Sequence, residues 1–428
     1  MAQSPQQSDP KSAARPGWDF AHLFWTMHLP AIALGLGLGM ALPVLPFVAI
    51  KFGVGIGGAS LIFIAELAGQ AAAPIPTGWV ADRFGRRRVL LAGPIIMGIA
   101  SLLVAKALIE GSYAELLVYR FIGGWGEQMW LLSRVTVIAD TGTQRQRGRQ
   151  ITSLFGVQQA GQLIGPVFGG FLAFQFDLWV PFIVIGIISI LAVVPSFSRL
   201  KETAPARPAT RPDGAGGPAP AAEKFTWRTL MVYPIPIVFT VQFLANIMRG
   251  GVFGGGVVVL YGAFAYSEAD ALTLGLMRSL MAFVSIPITF SAGYIMDTWG
   301  RKRTIVPGLG LSGAAMLFMG ATSLFGLSFT WFVASFIAVH AAVSLVSGNM
   351  QTLGTDIAPP HARGRFFGVS RLVSQTGSLG STSSFGLITW VLGATVAGYT
   401  TAFAVLGGAA VLASGLVAAF IKETLRKE

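Results

Sequence analysis

Long apolar runs separated by short polar stretches recur along the chain, around 24–47, 58–80, 89–109, 114–138, 151–174, 178–197, 230–262, 271–293, 304–324, 328–352, 365–392 and 396–421. A bilayer crossing takes about 20 predominantly apolar residues, so the pattern predicts twelve membrane helices. The runs around 114–138 and 230–262 contain charges, and their assignment leans on the regularity of their neighbours. The one long hydrophilic stretch, Ser198 to Arg228, is rich in Pro, Ala and Gly and reads as a flexible linker. It divides the chain into a polar N-terminal tail (1–22), a six-helix bundle (23–197), the linker (198–228), a second six-helix bundle (229–421) and a short tail (422–428). The polar start leads into an apolar run of full span length rather than the short apolar core of a cleaved signal.

Composition and charge sharpen this picture. Hydrophobic residues make up 53% of the chain and charged residues 11%, against about 25% charged in a soluble domain. The formal net charge of +12 is distributed unevenly: 23 of the 30 Lys and Arg fall in the two tails, the linker and alternate loops. By the positive-inside rule those segments are cytoplasmic, both termini included, in an inner (cytoplasmic) membrane. The basic balance therefore needs no nucleic-acid partner. The chain has no Cys, which removes disulfides and thiol chemistry. Gly35, Gly37 and Gly39 lie inside an apolar run with no preceding soluble strand, so they read as helix packing rather than as a nucleotide loop. No Walker loop, metal-ligand spacing or nucleophile–base set is present. The sequence thus predicts neither an enzyme nor a cofactor site nor a resident metal.

Two loops repeat between the halves. Gly78, Asp82, Gly85, Arg86, Arg87 and Arg88 follow the second run, and Gly293, Asp297, Gly300, Arg301, Lys302 and Arg303 follow the eighth, 215 residues later. Asp140, Arg147 and Arg149 follow the fourth run; Asp356, Arg363 and Arg365 follow the tenth, 216 residues later. Parallel repeats of this kind are one architecture of secondary transporters. Gly78 and Gly85 are expected to permit close backbone approach and a tight turn. Asp140 is placed to accept Arg86 and Arg149 to reach Asp82, with Asp297, Arg301, Asp356 and Arg365 mirroring them, so that the eight form a cytoplasmic gate.

On these loops the sequence resembles the major facilitator superfamily over nearly its whole length. Arg120, Gly124 and Gly126 look like the family's R-x-x-x-G-x-G motif. Gly161, Gly165, Pro166, Gly169 and Gly170 match the G-x-x-x-G-P-x-x-G-G motif of its drug/proton antiporter branch, and read physically as helix packing with a hinge. The second half lacks the equivalent Pro and Gly pattern, as it does in antiporters of that branch. The resemblance implies an all-α membrane protein with twelve transmembrane helices in two pseudo-symmetric six-helix bundles, whose spans 1, 4, 7 and 10 line a central cavity.

Seven charges lie inside the predicted spans: Glu66, Arg120, Glu127, Arg134, Arg249, Arg278 and Arg371. A lipid-facing charge at mid-depth costs roughly 2.5–3.5 kcal/mol or more, so these side chains should face a wet cavity or each other. Arg120, Glu127 and Arg134 recur every seven residues and share a helix face; Gln242, Asn246 and Arg249 form a second stripe. Glu66 and Glu127, as the membrane carboxylates, are the candidate proton carriers; Arg120, matching a position that tunes the proton site in the family, and the mid-span His340 are further proton-coupling candidates. Gln158, Gln162, Gln242, Asn246, Arg249, Arg278 and Arg371 are candidates for the substrate cavity. Five Arg against two Glu favours an anionic or zwitterionic solute, and Arg278 lies where organic-anion members of the superfamily often bind substrate. The expected function is secondary transport of a small organic solute by a monomer in the lipid bilayer, coupled to H+ and directed outward. Two alternatives are an uptake or exchange carrier for an organic anion, and a non-transporting sensor or assembly factor on the same fold.

Overall fold

The computed structural model describes residues 24–141, 144–199, 231–253, 256–346, 353–354, 357 and 363–423. Asp356 and the linker from 200 to 228 lie outside the described residues, as do the side chains of Asp82, Asp140, Arg149, Asp297 and Arg365.

Sixteen helices are followed in chain order. In the first half they are α1 (Phe24–Ala41, opening on a π-helical turn), α2 (Leu45–Lys51), α3 (Ile56–Ala72), α4 (Pro74–Phe84), α5 (Arg86–Glu110), α6 (Tyr113–Thr141), α7 (Gln144–Gln175), α8 (Val180–Leu191) and α9 (Val193–Arg199). In the second they are α10 (Ile235–Phe253), α11 (Val257–Ala265), α12 (Ala271–Trp299), α13 (Arg301–Leu324), α14 (Phe329–Val346), α15 (Arg363–Leu392) and α16 (Val396–Phe420). Among the described residues, nine helical stretches are long and apolar enough to cross a membrane. Helices α6, α7 and α15, of 29, 32 and 30 residues, are long enough to cross a bilayer at 1.5 Å per residue but are not among those nine. Their charged and amide side chains make them more polar.

The structure departs from four of the predicted spans by breaking them. The first is interrupted at Leu42–Val44, where Pro43 and Pro46 withdraw backbone donors and α2 restarts with Pro46 in its first turn. The second bends at Ala73 ahead of Pro74, and the sixth at Ala192. The seventh ends at Phe253 and resumes at Val257, after Gly256 at φ +64°. The breaks in the first and seventh runs stand at corresponding places of the two halves.

Packing follows one pattern twice. In the first half α1 packs on α7 and α8, α6 on α3 and α5, and α5 on α8; in the second half α10 packs on α15 and α16, α14 on α12 and α13, and α13 on α16. The halves meet through α3 with α15 and α7 with α12, two contacts that the same pseudo-symmetry exchanges. Small residues bring these helices together: a Cβ on Gly57 would lie 2.7 Å from Trp390 Cβ, one on Gly386 2.7 Å from Ser60 Cβ, and one on Gly275 against the Pro166 carbonyl. All of these approaches lie toward the end of the bundle remote from the basic loops, called here the far end.

The apolar cores divide accordingly. One cluster runs across both halves at the far end, joining Val44, Val48 and Phe63 to Val257, Leu260, Tyr261 and Phe385. Toward the basic end the cores are separate: Met27, Leu34, Leu90 and Trp130 in the first half, Val238, Val241, Ile305 and Val417 in the second. Among the described residues, one apolar core thus joins the halves at the far end, and separate cores serve each half toward the basic loops.

Candidate functional site

The seven-residue stripe of α6 is held against α3 and α7. A Cβ on Gly124 would run into the Glu66 carbonyl, and one on Gly69 of α3 would meet the Phe121 backbone, so the two helices touch backbone to backbone. Gly126 does the same toward Gly93 of α5, where a Cβ would stand 2.8 Å from the carbonyl oxygen. This close approach sets Arg120, buried, against Glu66, and Arg120 Nη2 donates to Glu66 Oε2 in an ion pair. One helical turn on, Gln70 Nε2 donates to Glu127 Oε2 at 2.8 Å. Glu66 and Gln70 are four residues apart and share a face of α3, which makes a four-residue polar ladder between α3 and α6. The two membrane carboxylates are thus brought to one place, each with a donor from the opposite helix.

Arg134, fully buried, continues the stripe toward the basic end. Its guanidinium stacks 4.0 Å over the Trp130 ring and donates to Gln158 Oε1 of α7. Gln158 is buried at that contact and serves as a tie between α6 and α7. Gln162, one turn further along α7, is half-buried.

The second half presents a different chemistry. Gln242 of α10 is held by α15 from both sides of its amide: it donates to Ser374 Oγ at 2.8 Å and accepts from Ser370 Oγ at 2.9 Å. The Asn246 amide turns back to the Gln242 carbonyl at 2.7 Å. Arg249 of α10 and Arg371 of α15 are both exposed. Arg278 Nη1 donates at 2.9 Å to the carbonyl of Val252, the residue before the last of α10, which the break in the seventh run would otherwise leave without a helical donor. His340 is buried, edge-on to Phe336 with ring centres 4.5 Å apart, and within electrostatic range of Arg278.

The glycine motif of α7 lies at close helix contacts. Gly161, Gly165 and Gly169 form one ridge against α1, meeting the backbone around Ile32, Leu36, Gly39 and Met40, while Gly170 meets Ala271 of α12 in the other half. Gly35 and Gly39 are the α1 side of that contact, and Gly37 faces Ile185 of α8.

At the basic loops the two halves again agree. Gly85 and Gly300 adopt φ +95° and +110° with ψ near 150°, a region open essentially to glycine alone. Gly78, expected to allow close approach, has nothing within 4 Å of its would-be Cβ, so in this conformation it packs on no neighbour. Arg87 donates to the Phe197 carbonyl at 2.6 Å and Lys302 to the Ala418 carbonyl at 2.6 Å, fastening each loop to the end of its own half. Arg86 and Arg301 are half-buried beside them. The acids and arginines expected to complete the gate, namely Asp82, Asp140, Arg149, Asp297, Asp356 and Arg365, fall outside the described residues.

Two participants were missed in the sequence. Gln70 had a signal, since it lies one turn from Glu66. Glu423 had another: its carboxylate accepts the backbone N–H groups of Arg301 and Lys302 at 2.9 and 3.0 Å, capping α13, and the Lys-Glu-Thr at 422–424 repeats the one at 201–203.

Comparison with known proteins agrees with this architecture. Residues 29–382 match the Major Facilitator Superfamily. The multidrug resistance protein MdtL of Klebsiella pneumoniae (strain 342) is 25% identical over 334 residues, covering 75% of this chain and 83% of that protein. MdtL of Salmonella paratyphi A is 28% identical over 298 residues, 68% of this chain and 72% of the relative. Among solved structures, a D-xylose–proton symporter superposes with a TM-score of 0.74 at 18% identity, covering 94% and 99% of the two chains. A bacterial homologue of the iron transporter ferroportin, in its inward-facing state, superposes with 0.71 at 15% identity, covering 92% and 97%. At these identities the structural likeness speaks for the fold.

Proposed function

Because the chain belongs to the Major Facilitator Superfamily, and so is a membrane transporter and not an enzyme, we propose that it exports a small organic solute in exchange for protons. In this reading the basic end lies in the cytoplasm, as the positive-inside rule expects. The observation that carries the coupling is the ladder of Glu66, Arg120, Gln70 and Glu127 between α3 and α6. It gathers the two membrane carboxylates of the chain beside one guanidinium. Outward direction is suggested by the relatives named for multidrug resistance.

Protonation of Glu66 removes the counter-charge of Arg120 and frees it to turn toward the cavity, while Glu127 takes its proton one turn along, beside Gln70. The energies match such a role. Two unit charges 4 Å apart attract by about 4 kcal/mol at an effective dielectric of about 20. One charge moved through 100 mV releases about 2.3 kcal/mol, which is of the same order, so a proton entering down its gradient can reset the pair. The neutral donor Gln70 holds Glu127 in place in either state, because a protonated carboxyl keeps an acceptor oxygen.

The test is reconstitution of the full chain into liposomes with an internal pH dye, screened against drugs and carboxylates for solute-driven proton movement. Glu127→Gln and Glu66→Gln are each expected to abolish proton movement by at least tenfold while leaving solute counterflow within about threefold. Proton coupling that survives both substitutions would remove the ladder from the mechanism. An uptake carrier would show the same proton signal with the gradient of opposite sign.

A further inference from the structure

We infer that Arg278 is a positioning residue for transport: its hydrogen bond keeps the seventh span broken, and the break sets α11 as the plug that joins the two halves at the far end. This rests on the transport reading above only in that the far end must open, and it is independent of the solute and of the protons.

The broken first and seventh spans are held by different means. In the first, Pro43 and Pro46 have no N–H to give to a preceding carbonyl, so the covalent chain itself fixes the interruption at Leu42–Val44. Residues 247–260 of the seventh contain no proline. In a continuous helix the Val252 carbonyl would accept the N–H of Gly256, four residues on. Gly256 instead stands at φ +64°, and its own carbonyl begins α11 by accepting the Leu260 N–H at 2.8 Å. The donor that reaches the Val252 carbonyl is Arg278 Nη1 of α12, at 2.9 Å. A carbonyl within a bilayer needs a donor. The Arg278 side chain and the Gly256 backbone are thus alternatives for one acceptor, and the first of them favours the break.

The break decides where α11 lies. Val257, Val258, Val259, Leu260 and Tyr261 are all fully buried. Consecutive residues of a helix point all round its axis, so α11 is enclosed on every side. Its two grips differ in kind. Tyr261, and Tyr266 just beyond the helix, hydrogen-bond the Thr322 hydroxyl of α13 at 2.7 and 2.9 Å. The Tyr261 ring also lies edge-on to Tyr399 and Phe403 of α16, with ring centres 4.9 Å away in each case. Toward the first half the contacts are apolar: α11 packs on α2 and α3, and the Phe63 ring fills the place where a Cβ would project from Gly256. Helix α11 therefore belongs to the second half, and the surface that can part lies between it and α2 and α3. Straightening the span at Gly256 would draw that residue off the Phe63 ring and re-aim α11.

The test uses the full-length chain in detergent, with no solute and no gradient, and exploits its lack of native cysteine. Val48→Cys places one thiol in the core that joins the halves, and Leu90→Cys, in the separate core of the first half, is the control. The rate of maleimide labelling is followed by mass spectrometry. Adding Arg278→Met is expected to raise labelling at position 48 at least fivefold and to leave position 90 unchanged. Arg278→Lys, which keeps a donor, should stay within about twofold of the parent. Gly256→Ala opposes the positive φ and sets a Cβ against Phe63, so it should raise labelling at position 48 as well. Combining it with Arg278→Met should add less than a further twofold, because both act on one break. Thermal unfolding verifies that each variant folds, and Arg278→Gln, whose amide is shorter and uncharged, replaces Arg278→Met if the latter does not. Labelling at position 48 indifferent to the loss of Arg278, or faster labelling at both positions alike, would overturn the assignment. Loss of proton coupling with this labelling pattern intact would instead count against the antiport reading alone.

Discussion

Arg120 meets Glu66 because a residue with no side chain stands at position 124. The Glu66 carbonyl occupies the place where a Cβ would project from Gly124, so the position sets the distance between α3 and α6 and with it the geometry of all four polar residues of the ladder. Gly124→Val should force the helices apart, and its expected result is loss of transport by tenfold or more together with a lower unfolding temperature in detergent. Wild-type transport in this variant would mean that the ladder tolerates a separation the backbone contact forbids. The pairing of Gln70 with Glu127 shows why such sites are only half visible in a sequence. The charged stripe of α6 is legible from its seven-residue period, whereas its partners depend on the rotation and depth of a different helix, which hydropathy does not encode. The same reason applies to Arg278, whose place in the chain suggested a substrate ligand and whose side chain is turned to a backbone carbonyl.

At the scale of elements, two glycines of the repeated motif differ in what they do: Gly300 stands in the turn between α12 and α13, whereas Gly78 lies inside α4. Gly300 has a backbone conformation that costs other residues about 1–3 kcal/mol, and the Glu423 carboxylate crowds its would-be Cβ; Gly78 has open space around it. Gly300→Ala should therefore lower thermal stability by several degrees, and Gly78→Ala should leave it within about one degree, both read by tryptophan fluorescence on heating. Equal effects of the two would show that the positive φ is not what the loop requires. Helix boundaries divide in the same way. The apolar runs locate the spans to within a few residues. The breaks after Ala41 and Phe253 were written in Pro43, Pro46 and the glycines at 254–256, but hydrophobic runs pass over them because membrane segments tolerate such residues inside a continuous apolar stretch.

For the molecule as a whole, the halves are packed together at the far end, and the chain's lack of cysteine makes this contact directly testable. Cysteines at positions 57 and 390 would have their Cβ atoms close together across α3 and α15, near enough for a bridge after a shift of about 1 Å toward the usual Cβ separation of about 3.8 Å. Gly57→Cys combined with Trp390→Cys should cross-link on mild oxidation, arrest transport and regain it on reduction, with each single variant inert to oxidant. Transport that continues in the fully cross-linked protein would mean that α3 and α15 stay together throughout the cycle. The repeat of loops at an offset of 215 or 216 residues announced two like halves. Which end of the seam holds the shared core was not legible, because hydropathy along the chain does not encode which helices meet across the halves.

The core that joins the halves at the far end has a consequence for temperature. To open that end, Val44, Val48 and Phe63 must part from Val257, Leu260 and Tyr261, and newly hydrated apolar surface raises heat capacity by about 0.45 cal/mol/K per Å². The equilibrium between the two orientations then follows a curve in temperature rather than a line. Because apolar association weakens on cooling, chilling the protein weakens the contacts that join the halves at the far end.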